Sequence, residues 1–189
     1  MGKPFQKLRF NVGVSALNKA LKGFTRRKLV YNLDTARRVG IVLPLVSQTD
    51  FDTAIKFSEY LRAKNLEICI LGYFPGKEIP QHFIMRQGTN VFTAKELNWY
   101  EKPQSEVVNE FVNTDFDILI DLSLEHYFPL RWLISLSKAK FKVGCLDYSG
   151  NPNDLILSID KAKGLPLLVE QAKHYLSVIN NRFATEESA

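Results

Sequence analysis

The chain alternates short, wholly apolar runs with stretches that are apolar on one side only. Arg38-Val-Gly-Ile-Val-Leu-Pro-Leu-Val46 is apolar after its first residue, the pattern of a strand buried on both faces. Leu66–Phe74, Phe116–Leu122 and Phe141–Leu146 repeat that pattern, and 89–94 and Leu155–Ile159 are shorter versions. Between them lie segments with helical spacing. Thr49 is read as the N-cap of the first of these, with Asp52 three residues on as a capping-box variant, and Phe51, Ala54, Ile55, Ser58 and Leu61 as its buried stripe. Ser105 caps a helix through Asn113, another runs from about Pro129 to Ala139, and a last one from about Pro166 to Asn180.

Strands alternating with helices build βαβ units with right-handed crossovers. The expected fold is therefore α/β: a Rossmann-like, doubly wound, mainly parallel sheet of 5–6 strands in the order 3-2-1-4-5. In that topology a ligand crevice lies beyond the C-terminal ends of the first and fourth strands.

Ahead of this pattern, residues 5–24 predict a separate helix with Phe5, Leu8, Val12, Ala16, Ala20 and Phe24 on its apolar side, Leu17 and Leu21 beside them, and an extended connector to Asp34. Gly13 weakens that helix. The expected organisation is an N-terminal arm over 1–36, the α/β domain over 37–182 and a polar tail over 183–189.

Charge makes the arm distinctive. The whole chain carries +5, but residues 1–38 hold ten basic side chains against Asp34 alone and sum to +9, leaving −4 for the remainder. Such a split points to a polyanionic partner, RNA or a ribonucleoprotein, through Lys19, Lys22, Arg26, Arg27, Lys28, Arg37 and Arg38. An acidic membrane surface or a protein partner fits the same charge, as does docking on the chain's own acidic body. No DNA-binding motif is present. No apolar run reaches the roughly 20 residues of a membrane span. Cys69 and Cys145 lie in apolar strands, as expected of core thiols in a cytoplasmic protein.

The crevice offers limited chemistry. The loop Pro44–Asp50 has no glycine, and the helix after it opens with Asp50 and Asp52, which disfavour a phosphate. No nucleotide cofactor is expected. Ser47, Gln48 and Thr49 remain as hydrogen-bonding candidates for a neutral ligand, with capping as the competing role. Asp121, Ser123, Glu125 and His126 resemble an acid/base cluster without a recognised catalytic spacing, so no catalytic residue is assigned; Asp121, Ser123 and His126 join Ser47, Gln48 and Thr49 as crevice candidates for binding a small molecule, a sugar or nucleotide derivative. His82, His126 and His174 have no metal-ligand spacing, and no metal is expected. Trp99 and Tyr100 offer a stacking platform for a base or sugar, or a pair that folds back on the core.

Two resemblances follow from these residues. Phe116–Ser123, Phe128-Pro-Leu130 and Ser137–Gly144, together with Val39-Gly-Ile41, Leu97-Asn-Trp99, Lys102-Pro103 and Asp154-Leu155 to Asp160, resemble an uncharacterised bacterial family of small Rossmann-like proteins, known only as a domain of unknown function. The likeness spans nearly the whole chain and implies no activity. The strand-helix-strand unit ending in Lys142-Val-Gly144 is similar to the N-terminal half of heptosyltransferase-type glycosyltransferases. Those enzymes place the nucleotide sugar mainly on a second domain, for which 189 residues leave no room, so this likeness implies a fold and not the transferase activity.

Overall fold

A computed structural model of the chain describes residues 3–84 and 88–179. The elements, in order, are α1 (Lys3–Leu21), β1 (Arg38–Pro44), α2 (Gln48–Arg62), β2 (Glu67–Phe74), a single turn α3 (Gln81–Ile84), β3 (Thr89–Thr93), α4 (Glu106–Asn113), β4 (Ile118–Asp121), α5 (Phe128–Leu136), β5 (Phe141–Gly144), β6 (Leu155–Ile156) and α6 (Gly164–Val178). The six strands form one parallel sheet in the order β3-β2-β1-β4-β5-β6. The architecture is the expected α/β, Rossmann-like one, with the sixth strand extending the edge beyond β5.

Strand alternation sorts the core into two faces. Val39, Ile41 and Leu43 of β1 join Ile120 and Val143 on one face, under α2 and α6, whose Phe51, Leu61, Leu168 and Ala172 close it. Val42, Leu71, Tyr73, Phe92 and Leu119 form the other face, covered by α4 and α5 through Phe111, Leu130 and Leu133. The fully buried rings of Phe51, Phe57, Phe92 and Phe116 anchor these layers. Each such side chain contributes about 1.5–3 kcal/mol of burial. No described helix is long and apolar enough to cross a membrane.

The N-terminal segment forms a third layer. Helix α1 lies on α5, with Leu17 packed against Phe128 and Trp132, and the Phe10 ring 5.1 Å from Phe128. The contact uses only part of the expected apolar side, with Ala16 and Leu21 packed around the buried Leu17. Phe5 and Leu8 stand in solvent, 49% and 55% exposed. The contact is centred instead on Gly13, where an added Cβ would lie 2.5 Å from the Phe128 ring and 2.7 Å from the Tyr100 carbonyl oxygen. The glycine that reads as a weakness of the helix is what lets it approach.

The connector then runs along the sheet edge. The Arg26 guanidinium donates to the Ala139 and Lys140 carbonyls at 3.1 and 2.9 Å and to both oxygens of Asp154 at 2.5 and 2.7 Å. The Leu29 amide donates to Lys140 O, and the Leu33 amide to Leu176 O. The helix and connector are thus laid on the domain over most of their length.

On an exposed helix face, Gly→Ala stabilises by about 1 kcal/mol. At Gly13 the sign is expected to reverse: Gly13→Ala should destabilise by about 1–3 kcal/mol through overpacking against Phe128 and Tyr100. A urea unfolding curve reads the difference, and a variant more stable than wild type would mean that α1 is not seated on α5.

Candidate functional site

The loop after β1 is committed to helix formation. Ser47, not Thr49, is the N-cap of α2: its Oγ accepts the Asp50 amide at 3.2 Å. Gln48 donates to Asp52 at 3.0 Å, and the Thr49 carbonyl accepts the Thr53 hydroxyl; both side chains face solvent. Thr49 as cap is therefore corrected, because the helix begins two residues earlier than its apolar stripe suggests. Between the ends of β1 and β4 lies a cavity of about 160 Å³, walled largely by Leu43, Pro44, Leu122 and Leu165, with Asp50 and Glu125 at its polar side. Ligand pockets usually run from about 300 Å³ upward, so a sugar or nucleotide does not fit at this switch point.

The acid/base cluster separates into an inside and an outside. Asp121 ends β4 and is buried, as is Ser123. The Ser123 amide donates to Asp121 Oδ1 at 3.0 Å, and the Cys145 thiol donates to the Ser123 carbonyl at 3.3 Å. Opposite, Gly144 leaves room for the Asn153 carboxamide, which a Cβ at 144 would strike. Burial pushes the Asp121 carboxyl up to about 6, while hydrogen bonds from Ser123 and Asn153 hold it down. Asp121 lines none of the described cavities and closes the loop after its own strand. Glu125 and His126 face outward. The sequence-adjacent cluster is therefore not one site.

His126 belongs to a different wall. Its ring meets Tyr148 edge-on at 4.2 Å, and burial, followed by Lys161 and Arg131, lowers its pKa from the ordinary histidine value. The two rings open onto a cavity of about 560 Å³ shared by α1, the loop before α4, the N-terminus of α5 and the loop after β5. Phe10, Phe128 and Tyr148 supply aromatic surface, and Arg131 and Glu101 supply charge. The Arg131 guanidinium lies 5.0 Å from the Tyr148 ring centre. One of its terminal nitrogens makes a long 3.4 Å bond to Ser149 O, and its Nε is buried with no hydrogen-bond partner. Burial pushes the Tyr148 phenol up to about 12, so it stays protonated and can donate.

Glu101 is held at this cavity by a local turn. Its amide donates to Asn98 O, while Asn98 Oδ1 accepts the Tyr100 and Lys102 amides. The turn places Glu101 at φ 67°, a conformation uncommon outside glycine and enriched at binding sites. Its carboxylate pairs with Arg9 of α1 at 3.2 Å. Beside it, Tyr100 folds back toward Trp132, with ring centres 6.4 Å apart, and Trp99 is 55% exposed. The stacking pair is thus divided between core and surface. Phe10, Glu101, Arg131 and Tyr148 carry no motif; only the aromatic pair Trp99 and Tyr100 pointed near them.

The basic residues also divide. Lys19, Lys22, Arg27, Lys28 and Arg37 are exposed. The Arg26 side chain is 6% exposed and bound to Asp154, and Arg38 pairs with Glu67 at 2.8 Å. Among the described residues, no group of three or more His, Cys, Asp or Glu gathers as a metal site. The His82 side chain lies outside the described part, and His174 is exposed on α6.

Fold and cavity define a class: a Rossmann-like α/β domain without a glycine-rich loop after its first strand. Within it the chain belongs to the DUF6913 family, a family of unknown function whose pattern matches residues 10–179. The match is to that family, and it shows no tie to glycosyltransferases. No curated protein matches the chain.

The buried carboxyl generates a pH prediction. Its folded pKa of about 6 exceeds the usual 3.8, so the native state binds the extra proton between those values. Stability from this group therefore falls as pH rises through that window, and above it the ionised form costs on the order of 3 kcal/mol. Asp121→Asn keeps an acceptor for Ser123. It is expected to exceed wild type in stability at pH 7.5 and to match it near pH 4, as read by urea unfolding at both values; no gain at pH 7.5 would refute the assignment.

Proposed function

We propose that the protein binds a small ring-bearing molecule, a sugar or nucleotide derivative, in the cavity between α1, α5 and the loop after β5. One observation carries this reading. A buried guanidinium nitrogen of Arg131 has no acceptor, and it sits at the wall of a roughly 560 Å³ space lined with aromatic rings. Leaving a charged donor unsatisfied costs stability, so such a group is expected to meet a partner. A ligand oxygen at Arg131, with its ring against Phe10, Phe128 or Tyr148, satisfies both features. The reading assigns binding, not catalysis, because the groups able to move protons near neutrality do not converge there: Asp121 is sealed away and His126 stands alone.

Saturation-transfer NMR with uridine monophosphate, adenosine monophosphate and glucose 6-phosphate provides the test. At least one is expected to bind with Kd under about 1 mM, and Arg131→Met is expected to weaken it about tenfold or more. No binding by any of the three, or binding indifferent to Arg131→Met, would reject this site.

A second reading rests on the outer face of α1. By helical spacing, Lys7 and Lys19 lie away from the buried Gly13, Lys22 follows in the turn after the helix, and all three are exposed. With Arg27, Lys28 and Arg37 they support attachment to RNA or a ribonucleoprotein through phosphate contacts. Reversing Lys19 and Lys22 to Glu is expected to abolish salt-sensitive co-sedimentation with RNA. Co-sedimentation that survives the reversal, or none at all in wild type at about 50 mM salt, would dismiss this reading.

A further inference from the structure

A second cavity, of about 440 Å³, opens where the connector crosses the sheet edge. Its walls are Phe24, Thr25, Arg26 and Lys28 from the connector, Ser135 from α5, Lys142 from β5 and the loop Gly150–Asn153. Three of these residues are cations and none is a carboxylate. Lys142 is the unusual member. It sits mid-strand on the α5 side of the sheet and is 1% exposed. Its Nζ donates to the Ile134 and Ser135 carbonyls at 2.6 and 3.2 Å and lies 5.7 Å from the Phe24 ring centre.

Those contacts account for only part of the ammonium. Two carbonyls from the last turn of α5 take two of its three N–H groups. The third has no protein acceptor among the described residues, and no carboxylate pairs with Nζ. Asp154, the nearby acid, instead accepts the Lys142 backbone amide at 2.9 Å, takes one terminal nitrogen of Arg26 with both its oxygens, and pairs with Lys28 at 3.3 Å. A buried cation without a counter-charge is costly, and proteins normally pair it. Close by, the Asn153 carboxamide oxygen is buried without a donor. The cavity thus presents positive charge, a free ammonium N–H and one free acceptor.

We propose that this cavity binds a small oxyanion, carried by a phosphate or a carboxylate, with its charge against Lys142, Arg26 and Lys28 and a hydroxyl of the same ligand donating to Asn153. The oxyanion supplies the direct ion pair that Lys142 lacks, since Asp154 is taken by Arg26 and Lys28. The site is separate from the Arg131 cavity and shares no residue with it.

Titration of Lys142 sharpens the test. Burial, and then Arg26, push its ammonium down to about 7. The charged groups facing it are Arg26 and Lys28 from the connector and Asp154 from the loop into β6; α5 contributes only backbone carbonyls. Near neutrality the amine is only partly protonated, so the lysine takes up a proton from solvent as an oxyanion binds, and affinity falls as pH rises.

Isothermal titration of the full chain with sulfate, whose charge is constant between pH 6 and 8, reads this directly, with inorganic phosphate as a second probe. Sulfate is expected to bind at pH 6 with a Kd in the millimolar range or tighter and to weaken about tenfold by pH 8. Lys142→Met is expected to weaken binding at pH 6 about tenfold and to remove the pH dependence. Lys28→Ala, at an exposed position, should weaken it severalfold even if the core variant fails to fold, and Arg131→Met should leave it unchanged. No binding up to about 20 mM sulfate, or affinity insensitive to pH and to both lysine substitutions, would overturn the proposal.

Discussion

The Arg26–Asp154 pair is the constraint on which the rest of the molecule hangs. Its side chains are 6% and 16% exposed, so little water screens them. Asp154 holds one terminal nitrogen of the guanidinium with both oxygens and also accepts the Lys142 amide, while the other terminal nitrogen of Arg26 holds the carbonyls of Ala139 and Lys140. One ion pair thereby joins the N-terminal connector, the start of β5 and the entry to β6. Breaking a buried pair by removing one partner costs about 3–5 kcal/mol, a large part of a domain's net stability. With the connector fixed, α1 reaches α5 through Gly13, and Phe10 reaches the wall of the larger cavity. Without it, both cavities lose a side.

This changes the meaning of the basic N-terminal segment. As a count of charges it looks like an appendage aimed at something outside. In the fold it is a layer, and part of its charge faces inward: Arg26 and Lys28 line the cavity beside Lys142. The outer lysines remain for a larger partner. Both cavities draw on this segment: Phe10 closes one wall of the larger, and Leu21, Phe24, Thr25, Arg26 and Lys28 supply nearly half of the lining of the other.

Much of the sheet was legible in the sequence because a strand buried on both faces must be apolar throughout, as in Val39–Leu43 and Ile118–Ile120. The expected order 3-2-1-4-5 is that of the doubly wound sheet and is the one formed, with β6 added at its edge. The buried side of α1 was legible only in part. Its hydrophobic residues occupy more than one stripe, and close approach at Gly13 chose Leu17, Ala16 and Leu21 over Phe5 and Leu8. Asp121 and His126 are five residues apart, yet one closes a loop beneath the surface and the other stands outside. Charge counts, likewise, cannot show that Arg26 and Arg38 already have partners. The larger cavity draws on residues 10, 101, 126–131 and 148–149, brought together from four segments with no shared motif. Only tertiary packing makes such a site visible.

The central claim is that the N-terminal segment is an integral layer of the domain, seated by Arg26 and Gly13. Hydrogen–deuterium exchange at the amides of residues 9–21 tests it most directly. An isolated helix of this length is marginal in water, so a docked α1 is expected to exchange more than about a hundredfold slower than an unfolded peptide, and Arg26→Met should erase much of that protection. Exchange at unprotected rates in the wild-type protein would contradict the claim.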